Sequence, residues 1–356
     1  MKGISLFASG GIGELFFDQI GLEIVCANEL IPKRASVYKH FYPSVDMIVG
    51  DIRSPEIKDK ILSYVSDKIE FLIATPPCQG LSTLGKNKQQ AHLEEDPRNY
   101  LVYDIFEIID AGSFKAILIE NVPRFLKMFF PYKGDFKTLE EILIDKYSET
   151  YEIDVKVVNA KDLGVPQSRP RAIIKLIMKG IEWTWPKIEE EITLADAIGH
   201  LPSLESGESS ELRYHYAKNH NARAVKALRH TPPGRSALTN EVHYPKKENG
   251  DRIKGFHNTF KRMTWDQPAH ARTTFAASIS SHNNVHPGRP LGNGMYSDAR
   301  VLTLLETFIV SSLPQDIEFP KDISETLIYT LIGESVPPLM LRKIVEPLLV
   351  RGKASL

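Results

Sequence analysis

The chain has 356 residues, of which 42% are hydrophobic and 25% are charged, with a net charge of −1. These values suit one large folded domain plus a smaller one, and no apolar stretch approaches the roughly 18 residues of a membrane helix. The first residues turn glycine-rich too soon for a signal peptide. Only Cys26 and Cys78 are present, which excludes a disulfide framework, so we expect a cytoplasmic protein without a membrane partner.

Apolar runs alternate with helical patterns from residue 1 to about residue 180. This strand–helix alternation indicates an α/β fold with a mostly parallel sheet covered on both faces. A late pair of runs is predicted to be antiparallel. The predicted strands are 4–8, 23–27, 47–49, 71–74 and 116–119, the antiparallel pair is 151–158 with 172–178, and the predicted helices are 14–20, 32–41 and 100–111.

The alternation ends after residue 186, and residues 187–298 are rich in Pro, Gly, Asn, His and Arg. We therefore predict a smaller, loop-rich domain at 187–298. Helical patterns return at 303–310 and 338–350, so the larger domain is predicted to comprise 1–186 and 299–356.

Positive charge is concentrated in one part of the predicted smaller domain. Residues 211–262 contain 12 lysines and arginines against 4 aspartates and glutamates, a net charge of +8. One interpretation is a face that binds a polyanion, and the other is a solvated, variable surface. The charge pattern by itself leaves both open.

A glycine-rich segment, LFASGGIGEL, follows the first predicted strand and opens the first predicted helix. Gly11 and Gly13, with the glycine before them, permit a tight turn and a close backbone approach to a ligand, although a turn without a ligand fits equally well. Glu29, at the end of the second strand, can accept hydrogen bonds from a ribose. Asp51, after the third strand, could reach the attached base. Together they predict an adenosine site, without separating a dinucleotide from S-adenosylmethionine.

Cys78 follows a buried-strand pattern and two prolines, in the sequence TPPCQG. A free cysteine is usually a small buried apolar residue. Here Pro76 and Pro77 restrict two φ angles, and parallel sheets place ligands at the carboxyl ends of their strands. The local sequence therefore favours a rigidly held nucleophile. A Cys–His hydrolase has little support, because His92 is the only histidine nearby in sequence.

Two further polar motifs follow strand patterns. Glu120 and Asn121 end the strand at 116–119, where they could serve a site or simply cap a helix. Gln167, Arg169 and Arg171 alternate, so a strand would place all three on one face. Two converging arginines suit a planar, acceptor-rich partner, and a surface ion-pair ladder is the alternative.

In this order, and over nearly the whole chain, the motifs resemble those of the DNA (cytosine-5) methyltransferases of prokaryotic restriction–modification systems. The resemblance implies a Rossmann-like, S-adenosylmethionine-dependent methyltransferase fold, with 187–298 as the target-recognition domain. The motifs PPCQG, ENV and Q-x-R-x-R, occurring in this order along the chain, are together highly specific for this family. The motifs that carry the resemblance are FASGGIGEL, NEL, GDI, PPCQG, DPRNYL, ENV, QSRPR, ARVLTLLE and GESVPP.

The resemblance assigns catalytic roles to four residues. The Cys78 thiolate would add to C6 of a flipped-out cytosine, so that C5 can accept the methyl group. Glu120 would engage N3 and the exocyclic amine. Arg171 would hold O2, and Arg169 would support the loop. Cofactor contacts are implied for Phe7, Ser9, Gly11, Ile12, Gly13, Glu29, Leu30, Asp51, Ile52, Pro77, Ser335 and Val336, and DNA contacts for Gln79, Ser82, Lys86 and Gln167.

The expected partner is double-stranded DNA, and a cognate restriction endonuclease is expected to act separately. The protein itself is expected to be a monomer. Ser9, Leu30 and Glu334 depart from the usual family residues in the cofactor motifs. The alternatives are the tRNA cytosine-5 methyltransferase branch and an inactive relative that only binds DNA.

We expect no metal site, because no paired cysteines accompany the histidines of the basic region. These histidines, predicted to be solvated or DNA-facing, are His215, His220, His230, His243 and His257.

Overall fold

A computed structural model of the chain describes residues 1–77 and 97–350, which form two compact units. The first unit comprises Met1–Asn159, Pro170–Lys187 and Leu341–Leu356, and the second comprises Ala160–Arg169 and Ile188–Met340. The predicted functional division at residues 186 and 299 remains a prediction. No helix within the described ranges is both long enough and apolar enough to span a bilayer.

The first unit is built on a seven-stranded sheet with the order β3-β2-β1-β4-β5-β10-β8. The five strands from β3 to β5 pair in parallel. β10 runs in the opposite direction, so it pairs antiparallel with both β5 and β8. The predicted α/β class and the late antiparallel pair are confirmed. The strands are β1 (Lys2–Leu6), β2 (Glu23–Glu29), β3 (Asp46–Val49), β4 (Phe71–Ala74), β5 (Ala116–Asn121), β8 (Tyr151–Asn159) and β10 (Pro170–Met178), with a separate hairpin of β6 (Phe129–Tyr132) and β7 (Asp135–Thr138).

Helices cover this sheet and bury its apolar residues, since β4 and β5 are buried along their whole length. The predicted helix at 14–20 is wrong in its extent, because the observed α-helix covers only Phe17–Ile20. Its glycine-rich start forms a 3-10 turn at Ile12–Glu14, and only one helical turn follows. The helices are α1 (Phe17–Ile20), α2 (Pro32–Phe41), α3 (Pro55–Leu62), α4 (Val102–Ala111), α5 (Leu139–Tyr147) and α10 (Pro338–Val350), the last continuing from the second unit.

The strand order changes direction between β1 and β4. From β1 the chain moves to β2 and β3 on one side, then returns to β4 and β5 on the other. In open α/β sheets, ligands bind outside the carboxyl ends of strands at such a reversal. The segments after Leu6 and after Ala74 therefore meet where a ligand site is expected, and Thr75 donates from its hydroxyl to the Phe7 carbonyl at 3.1 Å.

The second unit has short regular elements and a buried ionic network. Arg300 is fully buried and donates to Asp298 at 2.9 Å and to Glu306 at 2.7 Å. Burial alone would raise the pKa of Glu306, but Arg300 and His286 outweigh it and lower that pKa to about 2. The elements are β9 (Gln167–Ser168), β11 (Ala269–His270), β12 (Pro290–Gly292), β13 (Met295–Tyr296), α6 (Leu194–Ile198), α7 (Ala222–Arg229), α8 (Leu304–Val310) and α9 (Glu325–Glu334).

Candidate active site

The glycine loop after β1 adopts a strained backbone. Gly11 has φ 74°, and the non-glycine residues Phe7 and Ser9 also lie in the left-handed region, at φ 60° and 49°. Such conformations persist only where the surroundings enforce them, and they concentrate at functional sites. The loop is therefore preorganised before any ligand binds. The predicted cofactor residues Ile12 and Gly13 follow directly in the 3-10 turn, with Ile12 buried.

Glu29 joins this loop to the segment after β2 through its two carboxylate oxygens. Its Oε2 accepts the Ser9 N–H at 2.9 Å, and its Oε1 accepts the Ile31 N–H at 2.8 Å. A carboxylate offers about four acceptor positions, so each oxygen can still accept a ribose hydroxyl. Glu29 thus holds the loop and keeps the capacity for its predicted role.

The loops after β2 and β3 are joined, which brings Glu29 and Asp51 into one region. The Gly50 N–H donates to the Glu29 carbonyl at 3.0 Å. Asp51 forms an unpredicted ion pair with Arg53 at 2.6 Å, and the hydrogen bond from Arg53 lowers the pKa of Asp51. Leu30 is 57% exposed, whereas Ile52 is buried. Carboxylates beside an exposed apolar side chain fit an adenosine group, which has ribose hydroxyls, an amine and an apolar ring face.

A carboxyl group that no sequence motif singles out lies beneath this loop. Glu14 is buried and accepts hydrogen bonds from the hydroxyls of Ser5 and Tyr38. Burial raises the pKa of Glu14 to about 7, although both hydrogen bonds oppose the shift. Tyr42 donates to the Gly11 carbonyl at 2.8 Å. A glutamate beside a glycine turn, with Tyr38 and Tyr42 in and directly after helix α2, is the sequence signal that points to this support.

The segment after β4 is anchored to the end of β5. The Asn121 side-chain amide donates to the Pro76 carbonyl at 3.1 Å, and its oxygen accepts the Val122 N–H at 2.9 Å. The structure thus places the ENV motif beside the start of PPCQG, as the strand order predicts. Pro77 is the last described residue here. Cys78 and the predicted DNA contacts Gln79, Ser82 and Lys86 lie outside the described residues.

Glu120 and Arg171 form the ion pair at this end of the sheet. The Arg171 Nε lies 2.8 Å from the Glu120 Oε1, and only 14% and 9% of the two side chains are exposed. Both come from strands of the central sheet, β5 and β10, which pair directly. The carboxylate and the guanidinium are therefore held together on rigid elements.

Arg169 does not share a strand face with Arg171, so that part of the prediction is wrong. Gln167 belongs to the short strand β9, and Arg171 belongs to β10. Arg169, between them, is buried in the second unit and donates to the carbonyls of Arg272 at 2.8 Å and Gly333 at 2.7 Å. These bonds support the loop role assigned to Arg169.

Gln167 is also buried in the second unit. Its amide donates to the Val310 carbonyl at 3.2 Å and to the Ser311 hydroxyl at 3.0 Å, and it accepts the Arg272 N–H. These contacts give Gln167 a packing role, and its DNA contact remains an untested prediction.

The last predicted cofactor residues follow helix α9 in the second unit. Ser335 ends the helix, with its N–H donating to the Leu331 carbonyl, and Val336 is buried. At Gly333 an added Cβ would lie 2.4 Å from the Thr273 backbone. The helix end and the segment at residues 272–274 therefore approach too closely for a side chain.

The histidines of the basic region do not share one environment. His215 is fully buried, with ring nitrogens 3.1 Å from the Thr303 hydroxyl and 2.9 Å from the Pro202 carbonyl. The prediction that it is solvated is wrong, because it ties two segments of the second unit together. Within residues 1–77 and 97–350, no group of three or more potential ligands is arranged to hold a metal ion.

The chain is similar to known proteins over nearly its whole length. The sequence model for C-5 cytosine-specific DNA methylases matches residues 1–349. The chain is 44% identical over 345 residues to the Type II methyltransferase M1.HgaI of Avibacterium volantium, covering 97% of each, and 29% identical to M1.HphI of Haemophilus parahaemolyticus, covering 97% and 86%. Its fold is similar to that of a protein encoded within an Escherichia coli prophage, with TM-score 0.70, 18% identity and 99% coverage of both chains.

Proposed function

The chain belongs to the C-5 cytosine-specific DNA methylase family, and from that premise we propose that it methylates C5 of a cytosine in a specific duplex sequence. The methyl donor would be S-adenosylmethionine. Similarity to M1.HgaI and M1.HphI, both named Type II methyltransferases, supports a role in protecting host DNA within a restriction–modification system. A cognate endonuclease would act as a separate protein.

One observation carries the proposal: the Glu120–Arg171 pair lies at the same end of the sheet as the described segment that precedes Cys78. Asn121 binds the Pro76 carbonyl, two residues before Cys78. The neighbouring residue Glu120 pairs with Arg171 at 2.8 Å. A carboxylate from β5 and a guanidinium from β10 thus lie at the end of the sheet where β4 leads toward Cys78, whose thiol is outside the described residues.

Cytosine C5 is too weak a nucleophile to take a methyl group directly. The Cys78 thiolate would form a bond to C6, and the electrons of the C5–C6 double bond would make C5 nucleophilic. After methylation, a base removes the C5 proton and the sulfur–C6 bond breaks, which regenerates the thiolate. The reacting carbons are inaccessible in stacked duplex DNA, so the cytosine must be flipped out.

The ion pair suits recognition of the cytosine ring. Glu120 would engage N3 and the exocyclic amine and so stabilise the ring while the thiolate is attached. Arg171 would donate to O2, for which a planar guanidinium is well shaped. Arg169 would act indirectly, since its bonds hold the segment at Arg272 and the end of α9 at Gly333.

The loops after β1, β2 and β3 fit the adenosine part of S-adenosylmethionine. Glu29 would accept the ribose hydroxyls, Asp51 would accept the adenine amine, and Leu30 would cover the ring, with the glycine loop facing the rest of the molecule. When bound, S-adenosylmethionine supplies an electrophilic methyl group. The family resemblance adds Ser335 and Val336 to these contacts.

Residues 187–298 would recognise the target sequence. Their basic segment would supply salt-dependent phosphate contacts, and a few side chains would contact base edges. The tRNA methyltransferase branch remains the competing function, because the same catalytic motifs would serve it.

Methyl transfer to purified substrates tests the proposal. The protein is incubated with labelled S-adenosylmethionine and either plasmid DNA from a methylation-free host or unmodified tRNA, and digested nucleosides are analysed by mass spectrometry. We expect 5-methyldeoxycytidine in the plasmid, and bisulfite sequencing would identify its site. Labelling of tRNA alone would defeat the proposal. Binding of DNA without binding or use of S-adenosylmethionine would indicate an inactive relative.

The Glu120 assignment has its own test in the same assay. Glu120→Gln keeps the side-chain shape but removes the acid, and we expect kcat to fall by about 100-fold or more. Glu152→Gln, at an exposed position on β8, serves as the control and should retain wild-type kcat. Equal rates in the two variants would refute the assignment.

A further inference from the structure

Phe256 is a large apolar side chain held out into solvent within the basic segment. It is 67% exposed, and its ring centroid lies 6.2 Å from that of His282. Lys254, two residues before it, and His257, the next residue, are exposed as well. Single exposed apolar side chains are common on folded proteins, so a binding role for Phe256 depends on the turn that holds it and on the charges near it in sequence.

A tight turn holds Phe256 in this position. The Phe256 carbonyl accepts both the backbone N–H and the side-chain hydroxyl of Thr259, at 2.9 and 2.8 Å. The Asn258 carbonyl accepts the Asn283 N–H at 2.7 Å, which joins the turn to a second segment of the unit. At Gly255 an added Cβ would lie 2.8 Å from the Thr259 hydroxyl oxygen. The turn is therefore specified by several contacts and is more than an unconstrained loop tip.

The charges of the basic segment are not all available to a partner. Arg262 is fully buried and donates to four backbone carbonyls, while Arg213 and Arg229 are paired with Glu318 and Glu205. Lys254 is exposed, and no carboxylate in the described part of the chain pairs with it. A free cation beside an outward aromatic ring is the combination that binds nucleic acid, through phosphate and base together.

We propose that residues 254–257, which lead into this turn, form a DNA-contacting element of the second unit. In this element, Phe256 packs against bases of the duplex and Lys254 holds a phosphate. This inference rests on the proposed function and deepens it, because it names a positioning residue for the target. Apolar side chains that enter the base stack or contact thymine methyl groups need no hydrogen bonds, so Phe256 acts through shape and contact area.

Steady-state methylation of plasmid DNA from a methylation-free host tests this inference. Phe256→Ala should raise KM for the plasmid by about 5-fold or more, because base stacking on an aromatic ring is lost. Its kcat and its affinity for S-adenosylmethionine should match wild type. Phe256→Tyr should restore KM, since it keeps the ring. Val242→Ala is the matched control, because Val242 is 73% exposed in the same basic segment and should leave KM unchanged.

A second variant tests the phosphate contact. Lys254→Gln should reduce the slope of log affinity against log salt concentration by about 1. If Phe256→Ala and Val242→Ala give the same KM while wild type methylates the plasmid, the inference is overturned and the proposed function stands. If wild-type protein methylates no plasmid cytosine, the proposed function fails, and this inference fails with it.

Discussion

At Gly11 the glycine loop has no room for a side chain. An added Cβ would lie 2.4 Å from the Tyr42 ring and 2.8 Å from the Tyr38 ring, in a residue that already has φ 74°. Tyr42 also donates its hydroxyl to the Gly11 carbonyl. Displacing that ring would therefore distort the loop predicted to hold the cofactor.

We predict that Gly11→Ala weakens S-adenosylmethionine binding by about tenfold or more, a loss of about 1.4 kcal/mol. Gly21→Ala is the matched control, because Gly21 has φ 84° with no atom within 4 Å of the added Cβ. Both variants carry the left-handed backbone cost of about 1–2 kcal/mol, and only the first adds a collision. Calorimetric titration measures the affinities, and equal affinities would contradict this account of the loop.

Glu14 should make the stability of the first unit depend on pH. Its pKa is raised from 4.5 to about 7 in the folded protein, chiefly by burial. Between these values the folded state binds more protons than the unfolded state, so the free energy of unfolding falls as pH rises from 4.5 to 7. Each unit of raised pKa corresponds to about 1.4 kcal/mol.

The variant Glu14→Gln removes this titration. Urea unfolding at pH 5 and pH 8 should show a smaller loss of stability for the variant than for wild type. Glu23→Gln, at a surface carboxylate that is 61% exposed, is the control and should follow wild type. An unchanged pH dependence in Glu14→Gln would show that the carboxyl titrates alike in both states.

At the scale of elements, the second unit depends on buried charge as well as on apolar packing. Glu306, in the first turn of α8, accepts two bonds from Arg300, at 2.7 and 2.9 Å. Both side chains are almost completely buried. The pKa of Glu306 is lowered to about 2, so its stabilisation is present above pH 4.5 and is lost as pH falls toward 2.

We predict that Glu306→Gln destabilises the protein by about 3 kcal/mol, because the buried Arg300 loses one of its two carboxylate partners and keeps only Asp298. Glu318→Gln breaks a surface ion pair of the same unit, with Arg213, and should cost less than about 1 kcal/mol. Urea unfolding compares the two variants. Similar small losses would mean that the buried network contributes little to stability.

Elements with a strong apolar pattern were predictable from sequence. The strand Phe71–Ala74 and the helix Pro32–Phe41 have the predicted bounds, because one is uniformly apolar and the other begins at a proline. The hairpin of β6 and β7 and the helices α3 and α5 were not predicted. Their positions depend on contacts with distant residues, as when the Tyr103 hydroxyl donates to the Pro131 carbonyl of β6.

The same distinction applies to the candidate site. Strand order brings Glu120 close to the turn before Cys78, and the motifs predicted that neighbourhood. No motif shows which nitrogen of which arginine binds a carboxylate, so the separation of Arg169 from Arg171 emerged only from the structure. The sequence does not predict the role of Glu14, because its raised pKa comes from burial and its bond from Tyr38 depends on the fold.

At the scale of the whole molecule, family membership and the geometry at the end of the central sheet support one mechanism. Among the described residues, Asn121 binds the segment that leads to Cys78, and its neighbour Glu120 pairs with Arg171. The central claim is that the Cys78 sulfur becomes covalently attached to the target cytosine during methyl transfer.

Trapping with a fluorinated substrate tests that claim most directly. A duplex carrying 5-fluorodeoxycytidine at the site found by bisulfite sequencing is incubated with S-adenosylmethionine and protein, and intact mass is measured under denaturing conditions. Fluorine cannot leave C5 as a proton does, so we predict one adduct with the mass of protein, target strand and one methyl group, and none with Cys78→Ala. Absence of the wild-type adduct, or its persistence in Cys78→Ala, would contradict the mechanism.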